Sequence, residues 1–487
     1  MREYTDRALD TAKASGATYA DIRIVRATTQ GINVKNGIVQ GLTQDESFGF
    51  GVRVIADGAW GFASSSDVTL EEMDRVAALA VRIAKASARA NAEPVDLGPP
   101  EVHVDQYTTP HEIDPFTVSL EEKIDLLLAA DKEARAVEGV MIAAPRMAFL
   151  KEEKTFASTE GSFIEQTIIE SSVGTRVNAV AEGEVQFRSY PNMFGTQRET
   201  GGYEVVKKWD VVGNSRRVGE EAVALLSAPQ CPSTKTTVVI GASQLALQVH
   251  ESCGHPIELD RVFGTEAAYA GTSFLTPEKY GAFTYGSEIV NITSDAVTPG
   301  GLGTYGYDDE GVPAQKIDVI KNGQFVGYLT SRETATQLRK IHPNAPERSN
   351  GAMRASGWNR IPIIRMNNVS LQPGEWTFDD LIADTDDGIY MTMNKSWSID
   401  DRRLNFQFGT EVAYEIKNGK LGKMYKNPTY TGITPQFWGS CDAICNADHW
   451  TVWGTPNCGK GQPGQVMRVA HGTAPARFRN IQVGMMA

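Results

Sequence analysis

Hydrophobic and polar residues follow two periodicities in the first half of the chain. Residues 20–25 alternate as a half-buried strand does, and the pairs Asn36-Gly37 and Asp57-Gly58 favour tight hairpins because they adopt positive φ angles. Apolar residues at helical spacing follow Thr69 and Ser119, and each of these precedes a glutamate by three positions. This spacing is typical of a capped amphipathic helix. The first half is therefore predicted to be an antiparallel sheet covered by helices.

The periodic pattern breaks between residues 227 and 233, which read Ser-Ala-Pro-Gln-Cys-Pro-Ser. Beyond this break come a buried-strand pattern, a helix that leads to His250, and further Asn-Gly hairpins. We predict an α+β fold with an N-terminal α+β domain at 1–228 and a C-terminal domain at 235–487. The C-terminal domain is expected to be a large twisted or barrel-like antiparallel sheet that carries the helix before His250.

Composition narrows the class of protein. The chain has 487 residues, of which 41% are hydrophobic and 22% charged, as in a soluble globular protein of two or three domains. A net charge of -13 without a basic cluster argues against binding to nucleic acid. The polar N-terminus and the lack of any membrane-length apolar stretch predict a cytoplasmic protein with no membrane contact. Its 5 cysteines are expected to be reduced thiols or metal ligands.

The segment His-Glu-Ser-Cys-Gly-His, from His250 to His255, is the strongest chemical signal in the sequence. On a regular α-helix, side chains four apart are separated by about 40° around the axis, and side chains five apart by about 140°. Histidines five apart therefore cannot bind one metal on an undistorted helix. Gly254 tolerates unusual backbone angles and Pro256 cannot donate to the helical ladder. A bulge or broken turn at 253–256 would bring both rings to one side.

Two interpretations of this segment stay open from the residues alone. Either His250 and His255 share a metal, or His255 caps a helix end and His250 is a satisfied core histidine. A catalytic zinc would need a third protein ligand and an open position. Cys458 is a candidate because its Gly- and Pro-rich surroundings allow a thiolate to approach a metal. The other candidates are Cys253, Cys441, Cys445 and the remaining histidines.

Four segments carry a resemblance to a known family. They are Gly51–Ile55 with Gly61–Ala63, His250–His255, Tyr307–Gly311, and Cys458–Lys460 with Gln465. Together they make the chain similar, over nearly its whole length, to the TldD/PmbA metallopeptidases, long also called modulators of DNA gyrase. The match is with the TldD-type catalytic members, since the PmbA-type partner lacks the metal set. The resemblance implies that His250, His255 and Cys458 bind zinc and that Glu251 is the catalytic glutamate.

The activity implied is zinc-dependent hydrolysis of unfolded or extended peptides. Zinc would hold a water, and Glu251 would accept its proton during attack on the peptide carbonyl. Two alternatives remain: a zinc amidase with the same ligands, and a non-enzymatic regulatory or assembly subunit. Family members work as dimers, so the expected partners are a peptide substrate and either a second copy or a PmbA-type paralogue. No nucleic acid or membrane partner is expected.

Other polar signals receive structural interpretations. Residues 301–306 formally match a dinucleotide fingerprint, but no strand precedes them and acidic residues follow, so a mobile loop is expected. Asp308, Asp309 and Glu310 are expected to form a solvated acidic turn rather than to bind a cation or a basic side chain. Glu258 and Asp260 either orient the metal ligands or are surface charges.

The remaining cysteines, histidines and tryptophans are assigned by default. Cys441 and Cys445, with His449 nearby, would suit a structural zinc site, but two buried thiols are preferred. Surface or loop positions are expected for His103, His111, His342 and His471. Trp397 and Trp438 are expected to be buried in the core or at an interface.

Overall fold

Two β-sheet systems, one from each half of the chain, dominate the structure, a computed structural model that describes residues 1–90 and 93–484. The first half contains α1 (Arg2–Ala14), β1 (Tyr19–Lys35), β2 (Ile38–Ala56), β3 (Ala59–Ser65), α2 (Leu70–Ser87), β4 (Val104–Thr108), α3 (Leu120–Arg135), β5 (Val140–Ser158), β6 (Phe163–Ala181), β7 (Glu184–Tyr190), β8 (Gln197–Thr200), α4 (Glu204–Lys208) and α5 (Val211–Ser227). A short 3-10 helix at Met193–Gly195 precedes β8.

The second half has shorter elements before its main sheet. It contains β9 (Thr234–Ile240), α6 (Ala242–Val249), α7 (Leu259–Val262), β10 (Ile292–Asp295), β11 (Lys316–Lys321), β12 (Gln324–Phe325), α8 (Arg332–Ile341), β13 (Met353–Arg354), β14 (Ile363–Ile364), β15 (Val369–Leu371), α9 (Phe378–Ala383), β16 (Asp387–Ile399), β17 (Asn405–Lys417), β18 (Lys420–Tyr425), β19 (Thr429–Ile433), α10 (Thr434–Gly439), β20 (Cys441–Ile444), β21 (Thr451–Lys460), β22 (Gln465–Thr473) and β23 (Ala476–Val483). None of the helices in the described part of the chain has the length and apolar character needed to cross a membrane.

The predicted antiparallel sheet covered by helices is confirmed in the first half. Its eight strands run in the order β3-β2-β1-β5-β6-β4, with β7 and β8 also paired to β6. All pairs are antiparallel except β4 with β6. One apolar cluster joins α1 and α2 to β1 and β2, and another joins α3 and α5 to the far ends of β1 and β5. The helices therefore bury the sheet's apolar side chains.

Turns and caps form where the sequence predicts them. Asn36-Gly37 and Asp57-Gly58 all have positive φ and connect β1 to β2 and β2 to β3. The hydroxyl of Thr69 accepts a hydrogen bond from the backbone amide of Glu72 at 3.3 Å, which starts α2. Ser119 makes the same contact with Glu122 at 3.1 Å and starts α3. These local signals act as expected because they need only neighbouring residues.

A closed barrel forms the centre of the second half, and the α+β class is thereby confirmed. Its ring order is β16-β9-β23-β19-β17, closed by pairing of β16 with β17. The pairs are antiparallel except β9 with β16. Gly241 joins β9 directly to α6, whose apolar residues Leu245 and Val249 share one core with Phe408 and Tyr430 of the barrel. The barrel therefore fixes the start of the segment that contains His250.

Residues 228–233 connect α5 to β9, and the domain boundaries there remain a prediction. The two halves nevertheless contact each other through buried charges. Asp309 lies 2.5 Å from Lys154 and 3.3 Å from Arg23, and Glu310 lies 3.1 Å from Arg53. All three cations belong to strands of the N-terminal sheet.

The predicted solvated acidic turn is therefore wrong, because Asp308, Asp309 and Glu310 are all buried. The carboxylate of Asp308 accepts backbone hydrogen bonds from Glu310, Val312 and Met353. The preceding segment, expected to be a mobile loop, is also buried over residues 301–305. Distant cations, which the sequence pattern does not reveal, pair with Asp309 and Glu310, whereas burial and the neighbouring Glu310 raise the pKa of Asp308 to about 8.

The tryptophans and cysteines assigned from the sequence differ in whether they are buried. Trp438 is buried in the core as expected, whereas Trp397 is 46% exposed, which excludes the core for it and leaves the interface position a prediction. Cys441 and Cys445 are buried free thiols, as preferred, and burial raises the pKa of Cys445 to about 12. His449 accepts a hydrogen bond from the backbone of Phe378 at 3.0 Å.

Candidate metal centre

The helical segment that carries the two histidines changes its winding at the motif itself. After α6, residues His250–Gly254 form a π-helix, and His255–Ile257 form a 3-10 turn. The backbone amide of His255 donates to the carbonyl of His250, five residues earlier. One extra residue in this turn places side chains five apart on one side. The predicted distortion is therefore present, although it begins at residue 250 rather than 253.

Gly254 permits this turn for a different reason from the one expected. Its φ of -57° is open to any residue. However, a Cβ atom built there would lie 2.0 Å from the sulfur of Met366, a buried side chain. The requirement for glycine is therefore close packing of the π-helix against Met366.

Cys458 completes a compact group with the two histidines. Its Sγ lies 3.7 Å from Nε2 of His255, and one donor atom from each of His250, His255 and Cys458 lies within 4.8 Å of the others. All three residues are buried. Cys458 belongs to β21, next to an irregularity in its pairing with β22, and not to the Gly- and Pro-rich loop expected.

The donor set fits a zinc ion. Tetrahedral zinc with one thiolate and one imidazole separates those two donor atoms by about 3.5 Å, close to the spacing of Cys458 and His255. Two nitrogens and one sulfur leave a fourth position for water or substrate, as in catalytic sites. Across residues 1–90 and 93–484, no other group of three or more potential ligands is present. The pair Cys441 and Cys445 with His449 is therefore not a second centre there.

Glu258 orients His255. Its Oε2 lies 2.9 Å from Nδ1 of His255, so Nδ1 carries the hydrogen and Nε2 is left free toward the metal position. Burial alone raises the pKa of Glu258, but Lys460 and His255 outweigh this and hold the pKa below its ordinary value. Asp260 pairs with Lys460 at 2.6 Å. The surface-charge interpretation of Glu258 and Asp260 is therefore wrong.

His471 orients His250 as Glu258 orients His255. The surface position predicted for His471 is therefore wrong. It is buried in β22, and its Nε2 lies 2.8 Å from Nδ1 of His250. Its Nδ1 lies 2.7 Å from the carbonyl of Val369, which only accepts, so Nε2 of His471 must accept from His250. Burial, followed by the nearby His250, lowers the pKa of His471 well below its ordinary value. Nε2 of His250 is thereby left unprotonated.

The sequence did contain a signal for the buried position of His471. Its apolar neighbours Val469 and Ala470 are typical of a strand. By contrast, His103, His111 and His342 are not buried, in agreement with their assignment. The difference is the strand β22, which carries His471 into the interior.

Glu251 is held by an arginine that the sequence analysis did not single out. Its Oε2 lies 2.7 Å from Nη1 of Arg403, and Glu251 is only 6% exposed. Burial alone raises the pKa of Glu251, but the positive charge of Arg403 opposes this effect and the pKa lies below its ordinary value. Glu251 is therefore a carboxylate at neutral pH, and able to accept a proton.

The turn that presents Arg403 is anchored on three sides. It connects β16 to β17, and Arg403 has a φ of 63°. The carbonyls of Asp401, Arg402 and Arg403 accept hydrogen bonds from Arg261, Phe274 and Thr434 respectively. The sequence offered no signal for this contact, because it joins residues 152 positions apart.

Family models and relatives that match this chain are described as metallopeptidases or metalloproteases. Three family models match the chain: PmbA/TldA metallopeptidase domain 1 at 20–84, the central domain at 113–228 and the C-terminal domain at 233–485. A metalloprotease of Methanocaldococcus jannaschii is 31% identical over 85% of this chain and 86% of that protein. A metalloprotease of Methanothermobacter thermautotrophicus is 31% identical over 96% of this chain and 95% of that protein.

Solved structures share the fold. A protein of Thermotoga maritima described as a modulator of DNA gyrase has a TM-score of 0.78 at 20% identity, covering 99% of this chain and all of that one. TldE from Thermococcus kodakarensis has a TM-score of 0.72 at 16% identity, covering 99% of each chain. The architecture therefore recurs over the full length at low sequence identity.

Proposed function

This chain belongs to the PmbA/TldD metallopeptidase family, and we propose that it is a zinc-dependent peptidase that hydrolyses unfolded or extended peptides. His250, His255 and Cys458 are the proposed zinc ligands, and Glu251 is the proposed general base. The observation that carries the proposal is the convergence of three ligand atoms within 4.8 Å of one another next to an ionised, buried glutamate. Glu258 and His471 engage Nδ1 of His255 and of His250, so Nε2 of each histidine is the nitrogen available to a metal.

Zinc bound here would polarise a peptide carbonyl and acidify a water molecule. Glu251 of this chain can carry the proton that moves from water to the leaving amine. Glu251 takes a proton from the attacking water, and the same carboxylic acid then protonates the leaving amine as the C–N bond breaks. Arg403 keeps the carboxylate of Glu251 in place between these two transfers, at 2.7 Å.

Burial supports the choice of unfolded or extended peptides. The three proposed ligands and Glu251 are all buried, so the surface of a folded protein does not reach them. An extended segment has a smaller cross-section than a folded domain, which favours it as the substrate. We also propose that the protein is cytoplasmic and acts as a homodimer or as a heterodimer with a PmbA-type paralogue, which light scattering of the purified protein alone and mixed with that paralogue would distinguish.

The deciding experiment combines metal content with peptide products. Zinc is measured by mass spectrometry in the wild type, in Cys458→Ser and in Glu251→Ala, and each protein is incubated with reduced, carboxymethylated lysozyme as the unfolded substrate. We expect zinc and cleavage in the wild type, loss of zinc in Cys458→Ser, and zinc without cleavage in Glu251→Ala. Glu288→Ala, an exposed glutamate, is the matched control.

Each departure from this result has a distinct meaning. Cleavage by zinc-loaded Glu251→Ala would remove the role of Glu251. Zinc-dependent hydrolysis of small amides without peptide cleavage would favour an amidase. A wild type without zinc and without products would overturn the proposal and favour a regulatory subunit.

A further inference from the structure

A cavity of about 400 Å³ lies between the N-terminal sheet and β21, the strand that carries Cys458. Two adjacencies connect it to the candidate metal centre. Asn457, which lines the cavity, precedes the candidate ligand Cys458. Met193, which also lines it, packs in one cluster with Leu247, three residues before His250. Along β21 the cavity is therefore one residue from a candidate ligand, and a residue packed against its lining lies one helical turn before His250, although no candidate ligand itself lines the cavity.

The cavity holds a cation that has no anionic partner. Arg146 lines it and donates a hydrogen bond to the carbonyl of Phe194. Within residues 1–90 and 93–484, no carboxylate lies at ion-pair distance from Arg146. Arg146 differs in this respect from buried arginines such as Arg188 and Arg53, whose guanidinium groups pair with carboxylates.

A second uncompensated arginine stands close to the first. Arg176 lies on β6, across from Ala144 of β5, and its guanidinium stacks on the ring of Phe187 at 3.7 Å. Its Nε is buried and has no hydrogen-bond partner in the described part of the chain. Burial, and then repulsion from Arg176, lowers the pKa of Arg146. Both effects would be relieved by an anion.

The other residues of the cavity suit one end of a peptide. Arg198 lines it as well and shares the carboxylate of Glu170 with Arg468, so this carboxylate pairs with those two arginines and not with Arg146. The amides of Asn33 and Asn457 add hydrogen-bonding groups to the lining. The apolar part of the lining is Met147, Ala148, Met193, Phe194 and Pro456. This mixture suits a side chain attached to a charged terminus better than an inorganic ion, which would need polar walls throughout.

We propose that this cavity is a substrate subsite in which Arg146 binds a carboxylate of the peptide, either its C-terminal α-carboxylate or an aspartate or glutamate side chain. A guanidinium offers two parallel N–H donors that match both oxygens of a carboxylate. The inference rests on the proposed peptidase function and adds a preference to it: peptides that place a negative charge near the cleaved bond are favoured substrates.

Three synthetic decapeptides of otherwise identical neutral sequence test the preference. One has a free C-terminus, one is C-terminally amidated, and one is amidated but contains an internal glutamate. For the zinc-loaded wild type we expect kcat/KM to be at least tenfold higher for one charged peptide than for the neutral one. Whichever charged peptide is preferred identifies the source of the carboxylate. Equal values for all three would overturn the inference.

Variants assign the preference to Arg146. In Arg146→Gln, the tenfold preference should fall to less than twofold, because kcat/KM for the charged peptide falls toward the value for the neutral one. Arg146→Lys keeps the charge but loses the paired donors, so an intermediate preference is expected. Arg216→Gln, at a 53% exposed position on α5, is the matched control and should change nothing. A full preference retained in a folded Arg146→Gln would overturn the inference.

A binding measurement separates this inference from the peptidase proposal. Fluorescein-labelled versions of the three peptides are titrated with zinc-loaded Glu251→Ala, and Kd is measured by fluorescence anisotropy. We expect at least tenfold tighter binding of the charged peptide, and loss of this difference when Arg146→Gln is added. If the wild type cleaves no peptide but this difference is present, only the peptidase proposal fails. If cleavage occurs but Kd is equal for all peptides, only the subsite fails.

Discussion

Nδ1 of His250 lies 2.8 Å from Nε2 of His471, and the two buried rings meet edge to face. His471 is itself fixed by the carbonyl of Val369 at 2.7 Å. This chain of hydrogen bonds determines which nitrogen of His250 faces the metal position, even though His471 is not one of the three grouped ligands.

Replacing His471 is therefore expected to weaken metal binding. His471→Leu removes the acceptor for His250 and should raise the zinc dissociation constant about 10–100-fold, the usual effect of losing such a partner. Competition with a chromophoric chelator measures it. His471→Gln should recover most of the affinity, because an amide can accept from His250 and donate to Val369 at once. Unchanged affinity in His471→Leu, matched to the control His111→Gln, would contradict this role.

Arg403 is expected to affect turnover without affecting metal content. Arg403→Gln releases the carboxylate of Glu251 from its 2.7 Å contact and should lower kcat about 10–100-fold, while zinc content stays at the wild-type level. Steady-state kinetics with an unfolded substrate and metal analysis provide the two measurements. The neighbouring Arg402 is exposed, so Arg402→Gln is the control. Loss of zinc together with activity would instead indicate a purely structural role for Arg403.

Gly254 should not tolerate even a methyl group. Gly254→Ala places a Cβ about where the sulfur of Met366 now lies, and overpacking of this kind costs about 1–3 kcal/mol in the free energy of unfolding. Urea denaturation measures the change. In a Met366→Ala background the same substitution should cost much less, since the clash is gone. Gly439→Ala is the control, because nothing lies within 4 Å of its added Cβ. A neutral Gly254→Ala would show that the π-helix can shift away from Met366.

The ion pairs of Asp309 predict a pH-dependent stability. Burial alone raises the pKa of Asp309, but Lys154 and Arg23 outweigh it and hold the pKa below its ordinary value. The ionised carboxylate therefore stabilises the fold above about pH 4, and this contribution is lost as the pH falls through the lower folded-state value. Asp309→Asn should cost about 3 kcal/mol at pH 7, and progressively less below pH 4.

Urea denaturation of wild type and Asp309→Asn at several pH values checks this dependence. Asp318→Asn is the control, since Asp318 pairs with Lys321 at the surface and should cost less than about 1 kcal/mol. A gap between wild type and Asp309→Asn that stays constant from pH 7 to pH 3 would contradict the argument.

The sequence predicts those features that depend on neighbouring residues. Asn36-Gly37 and Thr69 act through contacts within three positions, so hairpins and helix starts follow from local patterns. The spacing of His250 and His255 similarly required a distorted turn, and the π-helix supplies it. The α+β class follows because the local patterns of both halves indicate antiparallel hairpins covered by separate helices.

Features that depend on distant partners were missed, because a sequence pattern reveals only contacts between neighbouring residues. Asp309 is buried because Arg23, 286 positions away, neutralises it. Arg403 meets Glu251, and His471 meets His250, only once the barrel and β22 have formed. A charged or polar residue carries no local sign that it will be buried. Its partners have to be known first.

The contacts of Asp309 and Glu310 with the N-terminal sheet bear on how the molecule unfolds. If the chain were divided within residues 228–233, the C-terminal piece would keep these acids without Lys154, Arg23 or Arg53. The carboxylates of Asp309 and Glu310 would then be exposed to water, and the ion pairs that hold this segment in place would be lost. The cations of the N-terminal piece would lose the same ion pairs. Neither half is therefore expected to be stably folded on its own. Heating should give a single cooperative transition, and proteolytic nicking at the connection should not release a stable fragment.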